Sequence, residues 1–99
     1  MIELLQQFNK AFESKARLGI MSVLMVNESV DFNSLKELLQ VTDGNLASHA
    51  KALEELKYII VNKQFIGKKP NTTYSATDLG KQAFVNHLNS LEKLLKNNK

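Results

Sequence analysis

The run TDGNLASHAKALEELK, Thr42–Lys57, constrains the chain more than any other stretch. Leu46, Ala50 and Leu53 recur at i, i+4 and i+7, with Leu56 on their flank, which is the spacing of one apolar face of an α-helix. Thr42 is placed to cap the first turn with its hydroxyl, and Asp43, read as a further capping residue, puts a negative charge where the helix dipole favours one. The opposite face carries Gly44, Ala47, Ser48, Lys51 and Glu55, with Asn45 to one side. That face is short and polar, with a single cation near its middle. Short side chains let another surface lie close, which a helix turned only to water does not need. The rest of the chain therefore has to hold this helix with one face buried and the small face open.

The flanking segments supply the scaffold. Ile2, Leu5, Phe8 and Phe12 form one stripe, so residues 2–12 predict a short first helix. Ser14 can cap a second helix over Lys15–Val26, with Ala16, Ile20, Val23 and Leu24 inward. Gly19 inside it costs helix stability and implies a closely packed neighbour. Val30-Asp31-Phe32 alternates and is long enough for one bridge of a small sheet. Asn33 or Ser34 then starts a compact helix, Leu35–Gln40, and Val41–Gly44 turns into the opening helix. Two helices joined by a turn of about four residues is the helix-turn-helix spacing.

After Lys57 the period changes from 3.6 to about 2. Tyr58–Ile66 is β-branched and aromatic, Gly67-Lys68-Lys69-Pro70-Asn71 is a turn by its Gly and Pro, and Thr72–Ala76 is a return strand. Thr77 caps a last helix running to about Lys96. Its Phe84, Leu88, Leu91 and Leu95, spaced four, three and four, form a coiled-coil-like seam. The sum is an α+β, mainly helical fold of one domain over 1–99: N-terminal helices in 2–26, a helix-turn-helix in 33–57, a hairpin in 58–76 and a C-terminal helix in 77–97.

Charge and composition narrow the function. Residues 1–57 hold eight acids and six bases, whereas residues 58–75 hold Lys63, Lys68 and Lys69 and no acid. The positive charge therefore lies after the opening helix, on the hairpin. A basic hairpin beside a helix-turn-helix with an open small face points to double-stranded DNA as partner. No cysteine is present, which excludes disulfides and thiolate metal sites and fits a reducing compartment. The N-terminus lacks the pattern of a signal peptide, and no stretch approaches the ~20 apolar residues of a membrane span, so a cytoplasmic protein without a membrane partner is expected. No phosphate loop, nucleophile-base set or ligand cluster is present, so no enzyme activity, cofactor or metal is expected. The two histidines do not form a cluster. His49 is expected packed at the edge of the apolar face, and His87 exposed beside the seam, the alternative being a pH-sensitive contact with its mate in a dimer.

The residues also carry a resemblance. The run from Leu38 to Phe84 resembles the winged-helix transcriptional regulators related to the MarR and ArsR groups, most of all the small subset with TDGNL at the recognition helix and T-Y-x-x-T-x-x-G after the wing. Here the second motif is Thr73-Tyr74-Ser75-Ala76-Thr77-Asp78-Leu79-Gly80, and Arg17-Leu18-Gly19-Ile20 is similar to the R-L-x-I of such regulators. The resemblance implies a winged helix-turn-helix with N- and C-terminal dimerisation helices. It implies a homodimeric regulator of transcription on a pseudo-palindromic operator, with its recognition helix in the major groove and its wing on the backbone or minor groove. Ala50 departs from the larger aliphatic residue of relatives, and Lys57 from their C-terminal glycine, which denies the helix end its easy left-handed cap.

On this reading the DNA-contacting residues are Thr42, Gly44, Asn45, Ala47, Ser48 and Lys51 on the helix and Gln64, Lys68, Lys69, Asn71, Thr72 and Thr73 on the wing. Arg17 either reaches the DNA backbone or makes a surface ion pair. Leu5, Phe8, Phe12, Phe84, Leu88, Leu91 and Leu95 form the dimer interface, and a cleft lined by Phe8, Phe12 and Phe84 leaves room for a small-molecule effector. The rival reading is a protein-interaction module that uses the same surface without DNA.

Overall fold

Each helix that starts within the described residues begins on a side chain that accepts an orphan backbone N–H, and these caps set the element boundaries. A computed structural model describes residues 5, 6 and 8–96. Ser14 caps α1 (Lys15–Met25) by accepting from Arg17 N–H at 3.3 Å. Thr42 caps α3 (Asp43–Glu55) through Asn45 N–H at 3.1 Å, and Thr77 caps α4 (Asp78–Lys96) through Gly80 N–H at 2.9 Å. Between them, α2 (Phe32–Leu39) starts earlier than expected. Its cap is Asp31 rather than Asn33 or Ser34, because the Asp31 carboxylate takes both Ser34 N–H (3.2 Å) and Ser34 O–H (2.6 Å). Those two bonds, the hydroxyl first, hold the Asp31 carboxyl below the usual carboxylate range. Gln40, expected inside α2, instead ends it in the left-handed conformation.

The helix expected over residues 2–12 lies partly outside the described residues. Within them Asn9 interrupts it. Asn9 is extended (φ −87°, ψ 119°), and its Oδ1 accepts Ala11 N–H at 2.9 Å to cap a 3₁₀ turn over Lys10–Phe12. A side chain that bonds its own backbone competes with the helix.

Three antiparallel strands, β1 (Val30–Asp31), β2 (Ile59–Ile66) and β3 (Lys69–Ala76), stand in the order β1-β3-β2. Ile66 pairs with Lys69 and Phe65 with Pro70, so Pro70 and Asn71 belong to the return strand and the turn shrinks to Gly67-Lys68. Gly67 supplies the positive φ (65°) that a two-residue hairpin turn needs at its first position. The hairpin is therefore longer and better paired than its Gly and Pro implied.

The core forms where α1, α2, α3 and α4 meet the base of this sheet. Ile20, Met21, Leu24, Leu35, Leu46, Leu53, Ile59, Tyr74 and Phe84 are buried in it. On α1 the buried set includes Met21, whereas Ala16 and Val23 are only half-buried. Gly19 does face a close neighbour, since a Cβ there would meet Leu39 Cδ2 at 2.8 Å.

Two further expectations change. Phe12 and Phe84 are core residues, packed edge-to-face with centroids 5.2 Å apart. Both are withdrawn from the surface, so neither is available to the expected interface or to the lining of a cleft. His87 is buried rather than exposed. Its Nδ1 accepts Asn9 N–H at 3.1 Å, and its ring packs between Phe8 and Phe12 at 5.5 Å from each. Asn9 also donates from Nδ2 to the Tyr58 hydroxyl at 2.9 Å, so this one residue ties the N-terminal segment to α4 through its backbone and to the base of β2 through its side chain.

Candidate nucleic-acid interface

The opening helix is held by its ends as well as its buried face. At its start, Lys36 of α2 pairs with Asp43 at 2.7 Å, so Asp43 joins the two helices instead of capping the second, and its charge has a partner. At its end, Tyr58 N–H bonds Leu53 C=O (3.0 Å) and Lys57 N–H bonds Glu54 C=O (2.9 Å). That is the bonding pattern of a Schellman cap, with its left-handed position at Lys57 (φ 65°). The lysine adopts the glycine conformation despite its Cβ, which corrects the expectation that such a cap is denied.

The same end is locked to α4. Thr77 donates from its hydroxyl to Lys57 C=O at 2.7 Å, and its N–H bonds Tyr58 C=O at 3.0 Å. Gly80 is required here, because a Cβ on it would stand 2.1 Å from the Tyr58 carbonyl oxygen. The T-x-x-G half of the sequence motif is thus a junction. Thr77 bonds both helix ends, and Gly80 lets the two backbones touch.

With its ends fixed, α3 buries Leu46, Ala50 and Leu53 and leaves Gly44, Asn45, Ala47, Ser48 and Lys51 exposed, with Thr42 exposed just before it. Gly44 has neither a positive φ nor any atom within 4 Å of a would-be Cβ. Nothing among the described residues requires glycine at this point of the helix.

Beside this face runs a groove of about 440 Å³ between α3 and the hairpin, with Ala47, Ala50, Lys51 and Glu54 on the helix side and Val61, Lys63, Thr72 and Tyr74 on the strand side. The small Ala50 helps to open it, which is the consequence of its departure from the larger aliphatic residue. Burial, with the Glu54 charge adding to it, pushes the Tyr74 phenol above its ordinary value.

Strand alternation sorts the wing residues. Lys63 and Thr72 are cross-strand partners and line the groove. Gln64 and Asn71 form the next pair, and Asn62 and Thr73 the previous one, so Gln64, Asn71 and Thr73 fall on the other face of the hairpin. Lys68 is in the turn and Lys69 is paired with Ile66 at the tip. Of the expected wing residues, the structure brings Thr72 to the helix and leaves the rest at the tip or behind. Lys63, which sequence reasoning left out of the site, joins the groove. The signal for it was present, since residues 61, 63 and 65 share a face once Tyr58–Ile66 is a strand.

Arg17 lies behind α3. Its Nε donates to Ala11 C=O at 2.7 Å and its guanidinium stands 3.5 Å from His49 Nδ1, so it is used within the fold and makes no ion pair among the described residues. His49 is half-buried, as a packed residue should be. Among the described residues no group of His, Cys, Asp and Glu could hold a metal ion, and no helix is long and apolar enough to cross a membrane.

The chain matches known proteins along most of its length. Residues 16–95 match the family described as winged helix DNA-binding domain. The protein MJ0432 of Methanocaldococcus jannaschii, described as uncharacterized, is 39% identical over 88 residues, which cover 89% of this chain and 96% of that protein. A transcriptional regulator homologue from Pyrococcus horikoshii OT3 superposes with a TM-score of 0.87 at 30% identity, covering 98% of this chain and 97% of the other. YusO from Bacillus subtilis shares the fold at 20% identity and a TM-score of 0.80, over 96% of this chain and 67% of that one.

Proposed function

This chain belongs to the winged helix DNA-binding domain family, and on that premise we propose that it regulates transcription by binding a specific double-stranded DNA sequence. In this reading the exposed face of α3 enters the major groove. Asn45 and Ser48 read base edges, and Lys51 meets phosphate or guanine. Lys63, Lys68 and Lys69 anchor the adjacent backbone from the wing. The observation that carries the proposal is the uncovered small face of α3, with its sterically unneeded Gly44, opening onto a groove whose strand side carries Lys63. A helix N-terminus with glycine near its first turn lets a phosphate approach the free N–H groups closely.

The proposed active form is a homodimer. On α4, Leu88 (43% exposed) and Leu95 (76% exposed) are seven residues apart, and Leu5 (48% exposed) is a further uncovered apolar residue. They are the members of the expected interface that remain available, with half-buried Leu91 and Phe8 at its margin. A two-fold pair would set its recognition helices one DNA turn apart, about 34 Å. Selection of bound duplexes from random DNA by the purified protein tests the reading. Enrichment of an inverted repeat with half-sites about 10 base pairs apart is the expected result. A pool that stays random at low salt favours the protein-interaction module instead.

A further inference from the structure

Phe65 is the one exposed Phe or Tyr among the described residues. Phe12, Tyr74 and Phe84 are buried and Phe8, Phe32 and Tyr58 are half-buried, whereas Phe65 is 74% exposed at the end of the hairpin. Its partner across the ladder is Pro70, so two apolar rings share one face of the tip. Ile66, 64% exposed, projects from the opposite face. The tip is thus apolar on both sides, and around it stand Lys63, Lys68 and Lys69 with no acid anywhere in residues 58–75.

The face that carries Phe65 matters. Val61, Lys63 and Phe65 alternate along β2 on the side that lines the α3 groove. From Val61, the last core-packed residue of β2, to Phe65 is about 13 Å of strand. The hairpin therefore continues the recognition surface outward and ends it in a hydrophobic point ringed by cations. Lysines attract a polyanion with or without an aromatic ring beside them, so their charge does not account for Phe65. An acidic protein surface would satisfy the lysines and leave the ring unexplained. Duplex DNA satisfies both, because phosphates line the groove walls and the apolar faces of stacked bases lie between them.

We propose that the wing tip is a wedge: Phe65, backed by Pro70 and Ile66, enters the minor groove beside the α3 site, partly unstacks one base step and bends the duplex. The proposal rests on the DNA-binding reading above. A two-stranded ribbon, with strands about 4.8 Å apart, meets a minor groove about 6 Å wide and needs it opened. Apolar side chains between base steps open it and kink the duplex toward the major groove. Pyrimidine–purine steps unstack most easily, so the wedge selects a TA or CA step at a position that no polar side chain reads.

The test uses the full-length protein and a pool of 30-base-pair duplexes with random centres, labelled with a donor and an acceptor at the two ends. Fluorescence anisotropy reports binding, and energy transfer between the ends reports bending. The wild-type protein binds and raises the transfer. Phe65→Ser binds about tenfold more weakly and loses the rise, while Phe65→Leu, which keeps an apolar wedge, retains most of both. Melting temperatures of the variants match the wild type, because Phe65 is outside the core. Duplexes selected by the wild type carry a pyrimidine–purine step beside the half-site, and those selected by Phe65→Ser do not. Binding without a change in transfer, or equal bending by Phe65→Ser, overturns the wedge and leaves the DNA reading standing. No binding at any salt concentration overturns both. A change in oligomeric state with Phe65→Ser, with bending intact, assigns the tip to a second copy of the chain and also overturns the wedge.

Discussion

Replacing Gly80 by alanine tests the junction between the recognition helix and α4. The new Cβ would stand 2.1 Å from the Tyr58 carbonyl oxygen and 2.8 Å and 2.9 Å from the Tyr58 carbonyl carbon and Cα. An ordinary carbon–oxygen approach is about 3.3 Å, so the two backbones must part by about 1 Å. The atoms in the way are backbone, which cannot swing aside as Leu39 can at Gly19. Overpacking of this kind costs about 1–3 kcal/mol. Parting the backbones also lengthens the two bonds from Thr77 to Lys57 and Tyr58, now 2.7 and 3.0 Å, at about 1 kcal/mol each. Alanine returns about 1 kcal/mol through its higher helix propensity. The net loss is about 2–4 kcal/mol, which for a domain of this size lowers the melting temperature by about 10–25 °C. Thermal unfolding followed by circular dichroism at helix wavelengths measures it. A Gly80→Ala protein that melts within 2 °C of the wild type would refute the close-approach argument.

Further outcomes follow from the same geometry. Gly44→Ala meets no atom within 4 Å and gains helix propensity, so it stabilises the fold by up to about 1 kcal/mol in a urea titration while weakening DNA binding; equal or tighter binding would remove the close-approach role of Gly44. Lys57→Gly relieves the left-handed cap at φ 65° and raises the melting temperature by about 4–8 °C, for about 1 kcal/mol; a lower melting temperature would contradict it. Asp31 is held below its unfolded pKa by its bonds from Ser34, so its contribution is present above the unfolded value and lost as pH falls through the folded one. Melting temperatures of the wild type and Asp31→Asn should therefore converge below about pH 4; a gap that widens on acidification would contradict the sign.

How much of this was legible in the sequence depended on whether the signal was local. Ser14, Thr42 and Thr77 announce helix starts because a cap needs only its own first turn. Leu46, Ala50 and Leu53 announce the buried face of α3 by spacing alone. The two-residue wing turn was hidden, because Pro70 and Asn71 have turn chemistry and only cross-strand pairing keeps them in the ladder. Asp31 was hidden as a cap because it also ends a strand. His87 has the sequence neighbourhood of an exposed helix residue; what buries it is Phe8, Phe12 and the Asn9 N–H, 78 residues away. The seam over Phe84, Leu88, Leu91 and Leu95 divides for the same reason. Phe84 turns to Phe12 in the core, and Leu88 and Leu95 stay outside. At the site, the exposed face of α3 follows from periodicity, but the choice of Lys63 and Thr72 over Gln64 and Asn71 follows only from register.

The most direct test of the central claim is the salt dependence of binding to a selected duplex. Lys51, Lys63, Lys68 and Lys69 give four candidate phosphate contacts per chain. Counterion release then predicts a slope of log K against log salt of about −3.6 for one chain and about −7 for a two-fold pair. Lys68→Ala with Lys69→Ala should reduce the steepness by about 2 per chain, with sequence preference unchanged. A slope near zero, or a lysine pair whose loss alters preference and leaves the slope intact, would contradict the division of labour between the α3 face and the wing.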